Sequence, residues 1–131
     1  MTIDAIVPGA RVLCAVSGGV DSMYLLHRMT ELGAQRGFAV GCAHFNHGLR
    51  GAESDRDEAF VRAQCEKLGV PFYAGRGDVA SVRGMGTEAA ARELRYAFLA
   101  RCADEHGYDW IATAHTADDN AETLLLNLAR G

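Results

Sequence analysis

The sequence predicts an α/β fold, a doubly wound parallel sheet with helices on both faces, and three observations predict it. Short apolar runs alternate with longer segments of helical periodicity in the order β-α-β-α-β-α-β-α, which argues a parallel sheet wrapped by crossover helices. Polar clusters close three of the apolar runs, at Ser17-Gly18-Gly19, His44-Phe45-Asn46-His47 and His115. In such sheets ligands gather outside the carboxyl ends of the strands. The chain has 131 residues, 49% hydrophobic and 23% charged. That suits one folded domain burying roughly two-thirds of its unfolded-chain surface.

The elements follow in order. Residues 1–10 form a lead-in with a turn at Pro8-Gly9. A strand over 11–16 meets Ser17-Gly18-Gly19, and a helix begins at once over 20–34, ending near Gly33 or Gly37. Leu25, Leu26, Met29 and Leu32 recur at helical spacing and face the sheet. The second strand runs from Phe38 to Phe45 and leads into Asn46-His47-Gly48-Leu49-Arg50-Gly51. A helix over 53–68 carries Glu53, Asp55, Asp57 and Glu58 in its first turns, where the helix dipole favours acids, and Gly69 stops it. The third strand is 70–74, with Pro71 near its start. Residues 75–86 hold four glycines and little periodicity, the one long irregular connection. Thr87 caps a helix over 88–106, with Ala91, Leu94, Phe98 and Cys102 on its apolar side. The fourth strand, 110–114, delivers His115, and a last helix over 117–129 starts with Thr116 and Asp119 at capping-box-like spacing.

Bulk properties narrow the function. Net charge is −4, with 17 acidic against 13 basic side chains, whereas a free-standing grip on nucleic acid is usually basic. Twelve of the basic residues are Arg and one, Lys67, is Lys. No apolar run approaches the roughly 20 residues of a membrane span. No basic residue precedes Arg11, which argues against a secretory signal, so the expected compartment is the cytoplasm. Cys14, Cys42, Cys65 and Cys102 form no C-x-x-C pair, so zinc, iron–sulfur and thioredoxin-type spacings are missing and all four read as core residues.

The strand–glycine–helix junction at Ser17-Gly18-Gly19-Val20-Asp21-Ser22 reads as a phosphate loop. It brings backbone N–H groups and the positive end of a helix dipole to one point. Gly18 and Gly19 are free to take positive φ, Ser17 and Ser22 add hydroxyls, and Asp21 offers a ligand to Mg²⁺ carried by the phosphates. No Gly-Lys-Ser/Thr follows, so it is not a Walker loop, and it lacks the Gly-x-Gly-x-x-Gly fingerprint. The bland reading is a tight strand-to-helix turn. At the second cluster, His44 reads either as a satisfied core histidine or, with His47 and Arg50, as part of the phosphate surroundings, where a guanidinium fork suits phosphate oxygens. Arg92, Arg95 and Tyr96 sit within two turns of one helix, either near that site or on an ordinary wet face with a Glu88–Arg92 pair. His115, Asp118, Asp119 and Glu122 lack the second His of a zinc protease. A carboxylate cluster there suits a cationic amine, although a helix dipole alone also explains one or two acids.

Taken together, SGGVDS (17–22), HFNHGLRGAESDRDEAFV (44–61), GTEAAARELRYAFL (86–99) and ATAHTADDNAETLLLNLARG (112–131) resemble the tRNA(Ile)-lysidine synthetases of the N-type ATP pyrophosphatase (PP-loop) superfamily. The first motif is shared across the superfamily; the NHGLRG-x-ES-x-x-D run with EAAARELRY is more specific. The resemblance implies an adenine nucleotide alpha hydrolase-like, Rossmann-like domain. It also implies a ligase that adenylates the wobble cytidine C2 oxygen of tRNA(Ile) with a CAU anticodon, then lets L-lysine displace AMP. Its cofactors would be ATP and Mg²⁺, and its partners tRNA(Ile) and L-lysine.

Carried over, Ser17, Gly18, Gly19, Val20, Asp21 and Ser22 would hold the phosphates, with Asp21 on Mg²⁺. Ala43, His44 and Phe45 would lie beside the adenine, and His47 and Arg50 around the nucleotide. Arg92 or Arg95 would stabilise charge on the α-phosphate. His115, Asp118, Asp119 and Glu122 would face the acceptor and lysine. The family's catalytic domain continues beyond the matching stretches. The resemblance therefore implies that 1–131 is a truncated N-terminal domain, incomplete at its C-terminus and inactive on tRNA alone. The rival readings are a sulfur transferase making 2-thiocytidine, which usually brings C-x-x-C chemistry, and a non-catalytic adenine-nucleotide-binding module.

Overall fold

In the computed structural model, which describes residues 3–48, 51–77, 87–117 and 120–128, alternate residues of the first strand face two separate cores. That strand, β1 (Arg11–Ala15), sends Val12 and Cys14 to one side and Leu13 to the other, all fully buried. Burial on both faces is what a central parallel strand requires. Helix α1 (Val20–Arg36) lays Leu25, Leu26, Met29 and Leu32 onto the Val12 side, as their spacing predicts. It ends at Gly37, whose left-handed φ of 86° lets its N–H reach the Gly33 carbonyl.

Strand β2 (Ala39–Asn46) is followed by α2 (Ala52–Leu68), β3 (Phe72–Arg76), α3 (Thr87–His106), β4 (Trp110–Ala117) and β5 (Asn120–Asn127). The five-stranded sheet has the order β3-β2-β1-β4-β5. Strands β3, β2, β1 and β4 are mutually parallel. Helices α1 and α2 share one core, with Val61 and Cys65 from α2, while Phe98, Leu99, Cys102 and Ala103 of α3 fill the other. Helices thus cover both faces, as expected. All four cysteines are buried and free.

One packing detail ties the second core together. Tyr108, just before β4, passes across β2 at Gly41, where a Cβ would overlap the Tyr108 hydroxyl and lie 2.6 Å from Cζ. The Tyr108 hydroxyl lies 3.0 Å from that of Tyr73, and burial pushes its ionisation up.

The structure corrects the expected helix over 117–129. Residues 120–127 form β5, antiparallel to β4 with Trp110 opposite Asn127 and Ala117 opposite Asn120. Thr116 lies inside β4, so the capping-box spacing with Asp119 is not used as a helix start. The unpaired edge of β4 offers a row of backbone donors and acceptors. Pairing it, with Leu125 buried and Leu126 exposed, outweighs the local capping signal. The sheet is therefore mixed, with an antiparallel strand on a parallel core. Smaller shifts occur at β3, which begins after Pro71 rather than before it, and at Thr87, which lies in the first turn of α3. The connection 78–86, most of the irregular stretch read at 75–86, lies outside the described residues.

Candidate functional site

The carboxyl ends of β1, β2 and β4 open into a cleft of about 970 Å³ between α2 and α3. Its floor is the junction after β1. Gly18 has φ 102°, a conformation that favours glycine, and a Cβ there would stand 3.5 Å from Cβ of Asp57 on α2. Gly19 is extended at φ −73°, so only one of the two glycines uses positive φ. Ser22 organises the loop. Its buried Oγ lies 3.2 Å from both Ser17 N and Gly18 N, accepting from each, and donates to the Gly19 carbonyl at 3.1 Å. Ser17 Oγ sits 3.1 Å from Ser22 Oγ and accepts from Gly19 N at 3.3 Å. The serines thus hold the loop's donors around one point ahead of the α1 N-terminus, an arrangement suited to an anion.

Alternation along β2 builds one wall. Ala43 and Phe45 face α3, where the Phe45 and Phe98 rings lie 5.9 Å apart, while His44 and Asn46 face α2. His44 is buried, with Nδ1 2.8 Å from the Val16 carbonyl. A carbonyl only accepts, so Nδ1 carries the hydrogen in that bond. The residue is satisfied in the core and also lines the cleft. His47 follows on the same wall, with Ser54 and Asp57 of α2.

The facing wall is α3. Arg92 and Arg95 line it, their guanidiniums 5.5 and 5.3 Å from the Tyr96 ring centroid. Two cations held against one aromatic ring make this the positively charged side of the cleft.

The structure therefore brings together Ser17, Gly18, Gly19, Ser22, Ala43, His44, Phe45, His47, Arg92 and Arg95. Val20 and Asp21 are exposed on the first turn of α1, outside the cleft lining. Arg50, Asp118 and Asp119 lie outside the described residues. The backbones of His115 and Glu122 are paired across β4 and β5, which replaces the single helix start expected for the last cluster. Among the described residues no group of three or more His, Cys, Asp or Glu is placed to hold a metal, and no helix is long and apolar enough to cross a membrane. Tyr96 joins the lining beside Arg92 and Arg95, and Ser54, Asp57 and Thr113 join it without a sequence expectation of their own. The Glu53-Ser54-x-x-Asp57 spacing is the available signal: it belongs to the NHGLRG-x-ES-x-x-D run that carries the resemblance, but the helix dipole alone also accounts for its acids.

Comparison with known proteins finds relatives along nearly the whole chain. The chain is 52% identical over 127 residues to the tRNA(Ile)-lysidine synthase of Thermus thermophilus, covering 95% of this chain and 24% of that protein. It is 48% identical to the same-named protein of Chlorobaculum tepidum, covering 94% of this chain and 38% of that one. For Dehalococcoides mccartyi the identity is 46%, covering 94% and 27%. The chain thus spans well under half the length of these relatives. A solved structure, the U34-tRNA thiolase NcsA from Methanococcus maripaludis with its [4Fe-4S] cluster, superimposes with a TM-score of 0.75 at 24% identity, covering 90% of this chain and 42% of that one. That likeness concerns the fold. The model of the ATP-binding PP-loop domain matches residues 3–131, and the chain belongs to that family.

Proposed function

We propose that this chain is the nucleotide-activating part of a tRNA(Ile)-lysidine synthetase. The carrying observation is the cleft itself: a serine-organised phosphate loop faces Arg92 and Arg95 across a space that also receives His44 and His47. In the proposed reaction the wobble cytidine C2 oxygen attacks the α-phosphorus of ATP. The bond to the bridging oxygen breaks and pyrophosphate leaves. The lysine ε-amine then attacks C2, AMP departs with the oxygen, and the amine gives up its protons to solvent or a nearby base.

The roles of the chain's groups follow from their chemistry. The N–H groups of Ser17, Gly18 and Gly19 turn from the serine hydroxyls to phosphate oxygens. Arg92 and Arg95 meet the charge that grows on the α-phosphate, where loss of one preorganised donor typically costs about 10²–10³ in rate. The Ala43–Phe45 end of β2 lies beside the adenine. Asp21, exposed on the first turn of α1 just outside the cleft lining, would offer a hard carboxylate oxygen to Mg²⁺, whose charge would offset that of the leaving pyrophosphate. His115, Asp118, Asp119 and Glu122 are assigned to the acceptor and lysine side, with Arg50 near the nucleotide.

The cysteines favour ligation over sulfur transfer. All four are buried in the two cores or beside them and none lines the cleft. The test is pyrophosphate release by the full-length protein with ATP, Mg²⁺, L-lysine and tRNA(Ile) carrying a CAU anticodon. Release should require both tRNA and ATP, and Arg92→Ala and Arg95→Ala should each lower kcat more than they raise KM for ATP. Lysine-dependent modification that survives Asp21→Ala would sink the phosphate-side assignment.

A further inference from the structure

We infer that Asn46 is a positioning residue that sets the β2–α2 wall of the cleft, placing His47 and Asp57 relative to the phosphate loop. The inference rests on the cleft being a nucleotide site.

Asn46 is the last residue of β2 and is 4% exposed. Its side-chain amide makes three directed contacts. Nδ2 donates to Asp55 Oδ1 at 2.9 Å and to Glu58 Oε1 at 3.3 Å, while Oδ1 accepts from Gly48 N at 3.0 Å. The acceptor contact closes a turn around His47, a cleft residue. The donor contacts clamp two carboxylates on successive turns of α2. Ser54 and Asp57, the α2 residues that line the cleft, are interleaved with those carboxylates along the helix. Asp57 is the residue packed against Gly18. One buried amide therefore couples the His47 turn, the start of α2 and the phosphate loop.

The choice of an amide is specific. Asp55 and Glu58 are held close, and Arg76 of β3 balances them at 3.5 and 3.3 Å, with Arg62 at 3.9 Å from Glu58. The neutral donor between them adds no charge. An aspartate at this position would keep the acceptor for Gly48 N but set a third carboxylate against two others, which raises its pKa. The charged and titratable groups around it are Asp55, Glu58 and Arg62 on α2, Arg76 on β3 and His47 in the turn. Below its raised pKa the introduced acid is protonated and donates as the amide did. As pH rises through that pKa it ionises and the wall is pushed open.

The test is ATP affinity of this chain by calorimetry from pH 5.5 to 8.5, with melting temperature measured alongside. Asn46→Asp should bind ATP about tenfold or more weakly relative to wild type at high pH, the factor that one pKa unit of lost interaction produces, and recover as pH falls. Asn46→Asp with Glu58→Gln restores one amide–carboxylate pair of reversed polarity but leaves Asp55, the nearer carboxylate, in place, so it should recover part of the affinity and lessen its pH dependence. Recovery of melting temperature without recovery of affinity would leave Asn46 merely structural and overturn the inference. So would Asn46→Asp with wild-type affinity across the range. If the wild-type chain bound no ATP at any pH, the nucleotide reading of the cleft would fall and the role of Asn46 with it.

Discussion

Ser22→Ala tests whether the phosphate loop is organised from within. Ser22 Oγ is 3.2 Å from two backbone nitrogens and 3.1 Å from both the Ser17 hydroxyl and the Gly19 carbonyl. A typical intramolecular hydrogen bond contributes about 0.5–1.5 kcal/mol net, and a buried donor left unpaired costs more. Water from the cleft re-satisfies part of what is lost, so we expect about 1–2 kcal/mol. At roughly 2–8 °C per kcal/mol across the domain sizes that bracket this chain, the melting temperature falls by several degrees. Nucleotide must then order the loop itself, and every 1.4 kcal/mol of that ordering weakens Kd about tenfold. Ser17→Ala is the internal control: Ser17 is exposed and its Oγ makes two contacts, with Gly19 N at 3.3 Å and Ser22 Oγ at 3.1 Å, which water can replace, so its stability effect should be under about 1 kcal/mol. The measurements are a thermal melt and an ATP titration for each variant. An unchanged melt and Kd for Ser22→Ala, or a larger loss for Ser17→Ala, would refute the reasoning.

Two further outcomes follow from packing and burial. Gly41→Ala drives a methyl into Tyr108, whose ring is buried, and should destabilise by about 1–3 kcal/mol or more, while the same change made in Tyr108→Ala should cost much less; equal costs in a denaturant-based double-mutant cycle would show that the overlap is relieved another way. Burial pushes the Cys14 thiol up to about 12 and the Cys102 thiol up to about 11, so the folded chain keeps protons that the unfolded chain releases. Their contribution is complete below the ordinary thiol pKa of 9.0 and is lost as pH rises towards the folded values, at about 1.4 kcal/mol per pH unit per group. Denaturation midpoints should fall above pH 9.0, and Cys14→Ala should flatten the slope; a flat wild-type profile would contradict the burial argument.

The alternation of apolar runs and helical segments made the parallel core legible, because burial on both faces leaves continuous strings such as Val12-Leu13-Cys14. The cleft was legible for the same reason: Ser17, His44 and Arg92 stand where strands end or a helix returns. Two things were not legible. Strand β5 depends on pairing with the edge of β4, a long-range choice that the local signal at Thr116 and Asp119 opposes. The Asn46 network is also non-local. Asp55 and Glu58 look like ordinary dipole complements until the fold sets Asn46 and Arg76 against them. Sequence spacing shows that acids stand together at a helix start, but not which of them faces a strand.

The net charge of −4 is compatible with an anion site, because the loop supplies neutral backbone donors and Arg92 and Arg95 supply local charge. Asp57 is the exception within the lining, a carboxylate packed against Gly18 where phosphate would approach. Two like unit charges 4 Å apart repel by about 1 kcal/mol in water and about 4 kcal/mol at the effective dielectric of a protein surface. Such a residue weakens free ATP binding unless a cation intervenes, and with a divalent cation the same charge becomes attractive. Asp57→Asn should therefore tighten ATP binding when Mg²⁺ is chelated and weaken it when Mg²⁺ is abundant, compressing the metal dependence from both ends. Titrating ATP into wild type and variant with and without Mg²⁺ measures this directly. Parallel shifts of both affinities would mean that Asp57 acts only by packing α2 against the loop, and would remove the electrostatic argument for a metal at this wall.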